Sequence, residues 1–205
     1  MSSITKLQDT LKSVRLGEAA NHLPVLLEKA GANDDTYATF LMDVMKYEQK
    51  RREEKKIEKH FKWATFPFRK TLDEFDISEQ QSMSKRQFNQ LKELLWIEQL
   101  YNLILLGPPG VGKTHLAVGI GIQAINQGFK VIFSSMGELV HYNNACIILT
   151  SNKAPKEWGE LLGDPAITTA ILDRLVHRSE IIHLSGESYR MKHRSSIFEQ
   201  ESVSN

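Results

Sequence analysis

Residues 107–114 read Gly-Pro-Pro-Gly-Val-Gly-Lys-Thr and match the phosphate-loop pattern G-x-x-x-x-G-K-[ST]. The apolar run Asn102–Leu106 before it is typical of a buried strand, and the stretch 115–126 after it permits a helix. Backbone N–H groups of such a loop can turn toward a phosphate, and the helix dipole adds to the attraction. A Gly/Pro turn that happens to precede Lys-Thr is disfavoured, because strand, loop and helix are all in place.

The loop residues have expected roles in binding a nucleoside triphosphate. Lys113 would reach the β- and γ-phosphates, and the Thr114 hydroxyl would be a ligand of Mg²⁺. Gly110 and Gly112 would let the backbone turn inward around a phosphate. The residues expected to bind the nucleotide are Gly107, Pro108, Pro109, Gly110, Val111, Gly112, Lys113, Thr114 and His115.

Composition restricts the class of protein. The chain has 205 residues, enough for one domain with a small appendage, and its net charge of +1 gives no overall polyanion-binding signature. Cys146 is the only cysteine, which excludes an internal disulfide and suits a reducing compartment. We see neither a signal peptide nor an apolar run long enough to cross a bilayer. We therefore expect a soluble cytoplasmic protein that does not act on a membrane.

Apolar spacing predicts three helices in the N-terminal region, residues 1–65. They would cover residues 3–16, a stretch capped by Asn21, and residues 35–64, where Phe66-Pro67 ends the last helix. Turn-forming residues over 66–82 favour a linker, and a short helix follows over 85–95. The second domain, residues 66–205, would contain the phosphate loop.

The third helix ends in a basic segment. From Lys46 to Lys70 ten basic residues face four acidic ones, a local charge of +6. The segment could contact DNA phosphates, or it could be a solvated helix stabilised by Glu/Lys pairs three and four residues apart, and the pattern favours neither. The candidate DNA contacts are Lys50, Arg51, Arg52, Lys55, Lys56, Lys59 and Lys62.

Three further apolar runs predict strands over residues 130–134, 146–150 and 180–184. Asn152 follows the second of these, where ligands of parallel sheets bind, so it either holds the attacking water or γ-phosphate or forms a turn. Trp96 or Ile97 could pack on a nucleotide base, although a place in the core is the stronger interpretation.

An ATPase of this kind needs an acidic residue at the end of an apolar strand to hold Mg²⁺, and none follows the loop. Asp164 lies in a Gly-Asp-Pro turn, and Asp173 lies in a stretch that favours a helix. Only eleven residues separate the runs 130–134 and 146–150. These cannot hold another strand with flanking helices, because a parallel crossover alone takes about a dozen residues or more.

Further motifs extend the pattern beyond the loop. They are Leu149-Thr150-Ser151-Asn152-Lys153, Glu157-Trp158-Gly159, Gly163-Asp164-Pro165, Ala170-Ile171-Leu172-Asp173-Arg174-Leu175 and Gly186-Glu187-Ser188-Tyr189-Arg190-Met191-Lys192. With them the chain, from about Leu7 to Phe198, resembles the IstB-type ATP-binding helper proteins of bacterial insertion sequences. These are AAA+ ATPases, similar to DnaC-type helicase loaders.

The resemblance implies an α/β fold, a P-loop parallel sheet flanked by helices and preceded by an all-α region. It implies ATP and Mg²⁺ as cofactors, with Lys113, Asn152 and Arg174 as catalytic residues. Asn152 would sense the γ-phosphate and Arg174 would act in trans as an arginine finger, and Arg190 is a further candidate, as a second sensor. The family forms ATP-dependent homo-oligomers on DNA and recruits or stimulates a transposase, which favours DNA contact by the basic segment.

One departure from the family pattern is large. His141 directly abuts Tyr142, where the family continues through a helix, the acidic Walker B strand and another helix. The resemblance thus implies an internal deletion that removes the central strand and the Mg²⁺-holding acid. We expect hydrolysis to be absent or very slow and the fold to be weakened. The alternatives are a DnaC-like helicase loader and a non-enzymatic DNA-binding remnant.

Overall fold

A computed structural model describes residues 2–135, 145–158 and 175–192. The chain divides into two compact units, Met1–Lys62 and Trp63–Asn205. Among the described helices, none combines the length and apolar character that crossing a bilayer requires. The predicted division into functional domains at residues 65 and 66 stays a prediction.

The N-terminal unit is helical, as predicted. It contains α1 (Ser3–Ser13), α2 (Gly17–Ala32) and most of α3 (Tyr37–Ala64). The predicted cap at Asn21 is wrong, because α2 begins at Gly17. The Glu48 carboxylate of α3 accepts a hydrogen bond from the Ala19 N–H at 2.8 Å. Glu48, rather than Asn21, therefore caps one of the free N–H groups in the first turn of α2.

The second unit is built on a parallel three-stranded sheet. Its strands are β1 (Asn102–Leu106), β2 (Ile148–Ser151) and β3 (Ser179–His183), in the order β2-β1-β3. All five residues of β1 are buried, since Leu103 pairs with Ile148 on one side and Glu180 on the other. With the helices α4 (Lys85–Glu93), α5 (Leu95–Glu98), α6 (Lys113–Asn126) and α7 (Tyr189–Lys192), this confirms the predicted fold class.

The prediction of a linker over residues 66–82 is wrong. The segment forms short 3₁₀ turns at Leu72–Glu74 and Ile77–Glu79, and Leu72 and Phe75 are buried in the main core. Leu72 lies so close to α6 that a Cβ added to Gly119 would be 2.6 Å from its Cδ2 atom. Turn-forming composition was misleading here, because the few apolar side chains of the segment decide its burial.

The predicted strand over residues 130–134 is not a strand. The Phe133 N–H donates to the Ala64 carbonyl at 2.8 Å, and the Thr65 hydroxyl donates to the Phe133 carbonyl at 2.9 Å. Ile132 is 56% exposed. The end of α3 thus supplies the hydrogen bonds that a neighbouring strand would supply, and no described strand lies beside this segment.

Candidate nucleotide-binding site

The phosphate loop joins β1, the central strand, to α6. Three of its glycines have positive φ angles, namely Gly107 (146°), Gly110 (87°) and Gly112 (90°). A Cβ on Gly107 would lie 2.0 Å from the Leu184 carbonyl oxygen, and one on Gly110 would lie 2.1 Å from Ser188 Oγ. These conformations and contacts admit only glycine, so the residue types of the motif are those the loop requires.

Lys113 begins α6 and turns its side chain back into the loop. Its Nζ donates to the carbonyls of Gly107 and Pro108, both at 2.7 Å. The residue is 7% exposed, and this burial lowers the pKa of its ammonium group below the ordinary value. A phosphate in the loop would offer the ammonium a charged acceptor in place of two neutral ones.

The loop lies in the wall of a cavity of about 600 Å³, a volume typical of small-ligand sites. Thr114, the second residue of α6, is half-buried in this wall. Asn152 follows β2 directly, is exposed, and lines the same cavity. Lysine, hydroxyl and amide groups therefore meet at the carboxyl edge of the sheet. The lining also takes in Arg190 of α7 and part of the 68–80 segment.

Of the other predicted residues, Trp96 does not line this cavity. Arg174 lies outside the described residues, as do the Gly163-Asp164-Pro165 turn and residues 170–173. Trp96 lines a different cavity, with Asn102 and Glu180 at the amino ends of β1 and β3, and its Nε1 donates to the Leu91 carbonyl at 3.2 Å. Trp96 and Ile97 pack against the core, so the core interpretation holds.

The segment 184–192 packs against the phosphate loop. The Tyr189 N–H donates to the Gly110 carbonyl at 3.1 Å, and the Ser185 N–H donates to Ser82 Oγ at 2.9 Å. Lys192 of α7 forms an ion pair with Glu79 at 2.7 Å. The segments 79–82 and 184–192, which are far apart in sequence, are thus joined to each other beside the loop.

Sequence reasoning missed the residues before the strand. The Gln80 side-chain amide donates to the Val111 carbonyl at 2.9 Å, and Phe68, Phe75 and His115 form a group of aromatic rings at the cavity. His115 Nε2 lies 3.1 Å from the Thr71 carbonyl, and burial lowers the pKa of the imidazole. The apolar residues Leu72 and Phe75 were the available signal, and the linker interpretation passed over them.

Carboxylates in the cavity wall already have partners. Glu74 accepts from the Thr71 N–H, Asp76 accepts from the hydroxyl and the N–H of Ser78, and Glu79 pairs with Lys192. These hydrogen bonds lower the pKa of Glu74 and of Asp76. The residues after the three described strands are Gly107, Asn152 and Leu184, so no acid follows any of them. Within the described ranges no group of three or more His, Cys, Asp or Glu could hold a metal. The site therefore fits a phosphate, while for Mg²⁺ it offers the Thr114 hydroxyl alone at the loop.

Comparison with known proteins identifies the family. The family described as "IstB-like ATP binding protein" matches residues 9–145 and 140–197. The chain belongs to this family. The matched residues include the loop, Asn152 and Arg190.

Relatives from insertion sequences match most of the chain. Proteins of IS21 (Pseudomonas aeruginosa) and IS5376 (Geobacillus stearothermophilus), both named as candidate ATP-binding proteins, are 32% and 34% identical. The first match covers 91% of this chain and 89% of the relative, and the second covers 83% and 90%. The alignments span 236 and 227 residues, more than the 205 residues of this chain, so part of each has no counterpart here.

The basic segment of this family member makes several ion pairs within the N-terminal unit. Arg52 Nε contacts Glu48 at 2.7 Å, Lys55 contacts Glu18 at 2.5 Å, and Lys56 contacts Glu53 at 3.4 Å. Arg51 pairs with Glu54. Four of the seven predicted DNA contacts thus take part in the Glu/Lys-type pairing of the alternative interpretation. The pairs of Arg51 and Lys56 are at least partly exposed on both sides and contribute little to stability, so they do not exclude exchange for a phosphate, whereas the Glu48 partner of Arg52 is buried.

Proposed function

We propose that this chain is an ATP-binding helper of DNA transposition. The observation that carries the proposal is the glycine-lined loop with Lys113 folded into it, at the head of a buried parallel sheet. The names of the insertion-sequence relatives give the biological setting. In this setting residues 107–115 bind ATP in the cytoplasm, and a transposase of the same insertion sequence is the partner.

The triphosphate would bind where the Lys113 ammonium now meets two loop carbonyls. Exchange of these neutral acceptors for phosphate oxygens gives shorter, charge-assisted hydrogen bonds. The first N–H groups of α6 and its dipole favour the same anion. When bound, Mg²⁺ would neutralise phosphate charge, with Thr114 as its protein ligand and Asn152 near the terminal phosphate.

Hydrolysis is impaired in this proposal. The support is the lack of an acid after each described strand and the unmatched part of the relatives' alignments, as an internal deletion at 141–142 would produce. Without a strand-end carboxylate, Mg²⁺ and the attacking water lose their usual protein partners. Binding without turnover would make the chain an ATP-gated scaffold rather than an ATPase.

Calorimetric titration of the full chain with ATP and Mg²⁺ tests the site. We expect binding that Lys113→Ala removes and that Lys85→Ala, a change at an exposed lysine on α4, leaves unchanged. Phosphate release measured on the same sample, with DNA present, should stay near background. A wild-type chain that binds no ATP would refute the proposed site. Rapid turnover would refute only the claim of impaired hydrolysis.

DNA binding and assembly are separate parts of the proposal. The basic segment would contact phosphates, and Arg174 would reach ATP held by a neighbouring copy. Replacement of Lys50, Lys59 and Lys62 by Ala should weaken duplex binding and reduce its salt dependence, whereas replacement of Lys6 and Lys12 on α1 should not. Sedimentation with ATP should show an oligomer that Arg174→Ala weakens. Unchanged DNA affinity in the triple variant would refute the predicted contacts at these three lysines.

A further inference from the structure

The cavity extends past the phosphate loop to an aromatic end. Lys113 and Thr114 lie at the loop, His115 follows them on α6, and Phe68 and Lys70 line the wall beyond. Phe68 is half-buried and lines the cavity. A nucleotide bound by its phosphates at the loop has its base several ångströms away, and the residues at this end line the same cavity as the loop.

The aromatic rings there are held in place by packing. Phe75 stacks on Phe88, with ring centroids 5.6 Å apart, and is only 7% exposed, so it belongs to the core. His115 stands edge-on to Phe75 at 5.3 Å and lies against the Thr71 carbonyl through Nε2. Phe68 stands edge-on to His115 at 6.5 Å. Phe68 therefore contacts His115, which in turn packs against the core ring of Phe75.

We propose that Phe68, supported by His115, is the platform on which the base of the bound nucleotide stacks. This inference rests on the proposed function, because it needs a nucleotide whose phosphates occupy the loop. Stacking on an aromatic side chain suits any base, since every base has a π-face, and a preformed platform spares the entropy of ordering it. Trp96 cannot serve, because it lines a cavity at the opposite ends of the strands.

The experiment compares ATP with inorganic tripolyphosphate, both titrated into the full chain with Mg²⁺. Phe68→Ala should weaken ATP binding about tenfold or more, from the usual range for loss of one base–aromatic stack, and leave tripolyphosphate binding within about twofold. Phe68→Trp should retain ATP affinity, while Phe68→Leu, which keeps apolar bulk without a ring, should lose it. Lys113→Ala should lose both ligands.

Phe66→Ala is the matched control. Phe66 lies two residues away and packs edge-on against Phe133 at 6.5 Å, and it is not part of the cavity wall. Its replacement should leave ATP affinity unchanged, and circular dichroism checks that each variant is folded. Equal losses for ATP and tripolyphosphate in Phe68→Ala, or no loss for ATP, would overturn the platform. Equal wild-type affinity for the two ligands would overturn it while leaving the phosphate site intact. Binding of neither ligand would instead overturn the proposed function.

Discussion

Gly110 shows how closely the phosphate loop is fitted to the segment that covers it. Its φ angle is +87°, and a Cβ there would meet Ser188 at both Oγ (2.1 Å) and Cβ (2.8 Å). Its carbonyl accepts from the Tyr189 N–H at 3.1 Å, so neither chain segment can move away without losing a hydrogen bond. The loop conformation therefore depends on a residue without a side chain.

Gly110→Ala should abolish ATP binding and lower the free energy of unfolding by about 1–3 kcal/mol, through backbone strain and the clash with Ser188. Gly31→Ala is the control, because Gly31 lies in α2 and has no atom within 4 Å of the added Cβ. That change should stabilise the protein by about 0.5–1 kcal/mol through helix propensity. Urea unfolding and calorimetry measure both effects, and an alanine at 110 that binds ATP normally would contradict the close fit.

Cys146 should be unreactive in the folded chain. Burial raises the pKa of its thiol to about 12, and Sγ lies 2.7 Å from the Tyr101 carbonyl as a donor. Since the thiolate is the nucleophile, alkylation by iodoacetamide at pH 8 should be slower by about two orders of magnitude or more than in the urea-unfolded chain. The rate should rise tenfold per pH unit up to the pKa. Similar rates in folded and unfolded chains would show that the thiol is accessible and unshifted.

Among the elements, α3 stabilises the N-terminal unit through one buried carboxylate. Glu48 is 3% exposed, accepts from the Ala19 N–H at 2.8 Å, and receives Arg52 Nε at 2.7 Å. Arg52, one residue of the basic segment, therefore stabilises the N-terminal unit. The pairing explains why α2 starts before the residue that its sequence favours as a cap.

Glu48→Ala should lower the free energy of unfolding by about 1–3 kcal/mol, because a helix-end N–H loses its charged acceptor and Arg52 loses its partner. Glu58→Ala, at an exposed position of the same helix, should change it by about 0.5 kcal/mol or less. Chemical denaturation followed by helical circular dichroism gives both values. Equal effects at the two positions would exclude the capping role.

The packing of the 66–82 segment is tested at Leu72, its one leucine. Leu72 is 3% exposed, so Leu72→Ala should cost about 2–5 kcal/mol of stability by leaving a cavity against α6. Leu95 is 58% exposed, and Leu95→Ala should cost about 0.5 kcal/mol or less. The same denaturation experiment compares them. A loss of stability at Leu72→Ala as small as that at Leu95→Ala would show that the segment 66–82 is a linker after all.

The sequence predicted the elements whose signals are local. The strand Asn102–Leu106 is a continuous apolar run and α6 follows a motif with fixed geometry, so both were placed almost to the residue. The run 130–134 has the same apolar character, but a strand also needs a neighbour, and its backbone bonds instead to the end of α3. Phe68 and Phe75 were missed because their burial depends on α6, which is distant in sequence.

At the scale of the whole molecule, we attribute two features to the same proposed deletion: the unpaired edge of the sheet and the missing acid for Mg²⁺. The strand order ends at β2 on one side, and none of the described strands pairs with its outer edge. In the proposed deletion, the missing segment held both the next strand and the acid for Mg²⁺. A sheet that lacks an inner strand exposes apolar surface and unpaired backbone groups, which favours association and weakens cooperative unfolding.

Restoring the segment tests this origin. The stretch of the Pseudomonas aeruginosa relative that has no counterpart here would be inserted between His141 and Tyr142. The longer chain should hydrolyse ATP faster than the original by several orders of magnitude, because Mg²⁺ and water regain their carboxylates. Its thermal transition should also be sharper, because the sheet regains a paired neighbour. An otherwise identical insert with alanine for its strand-end acid should sharpen the melt without restoring turnover. If the original chain already equals the longer chain in both ATP turnover and sharpness of unfolding, then neither its fold nor its chemistry depends on the segment.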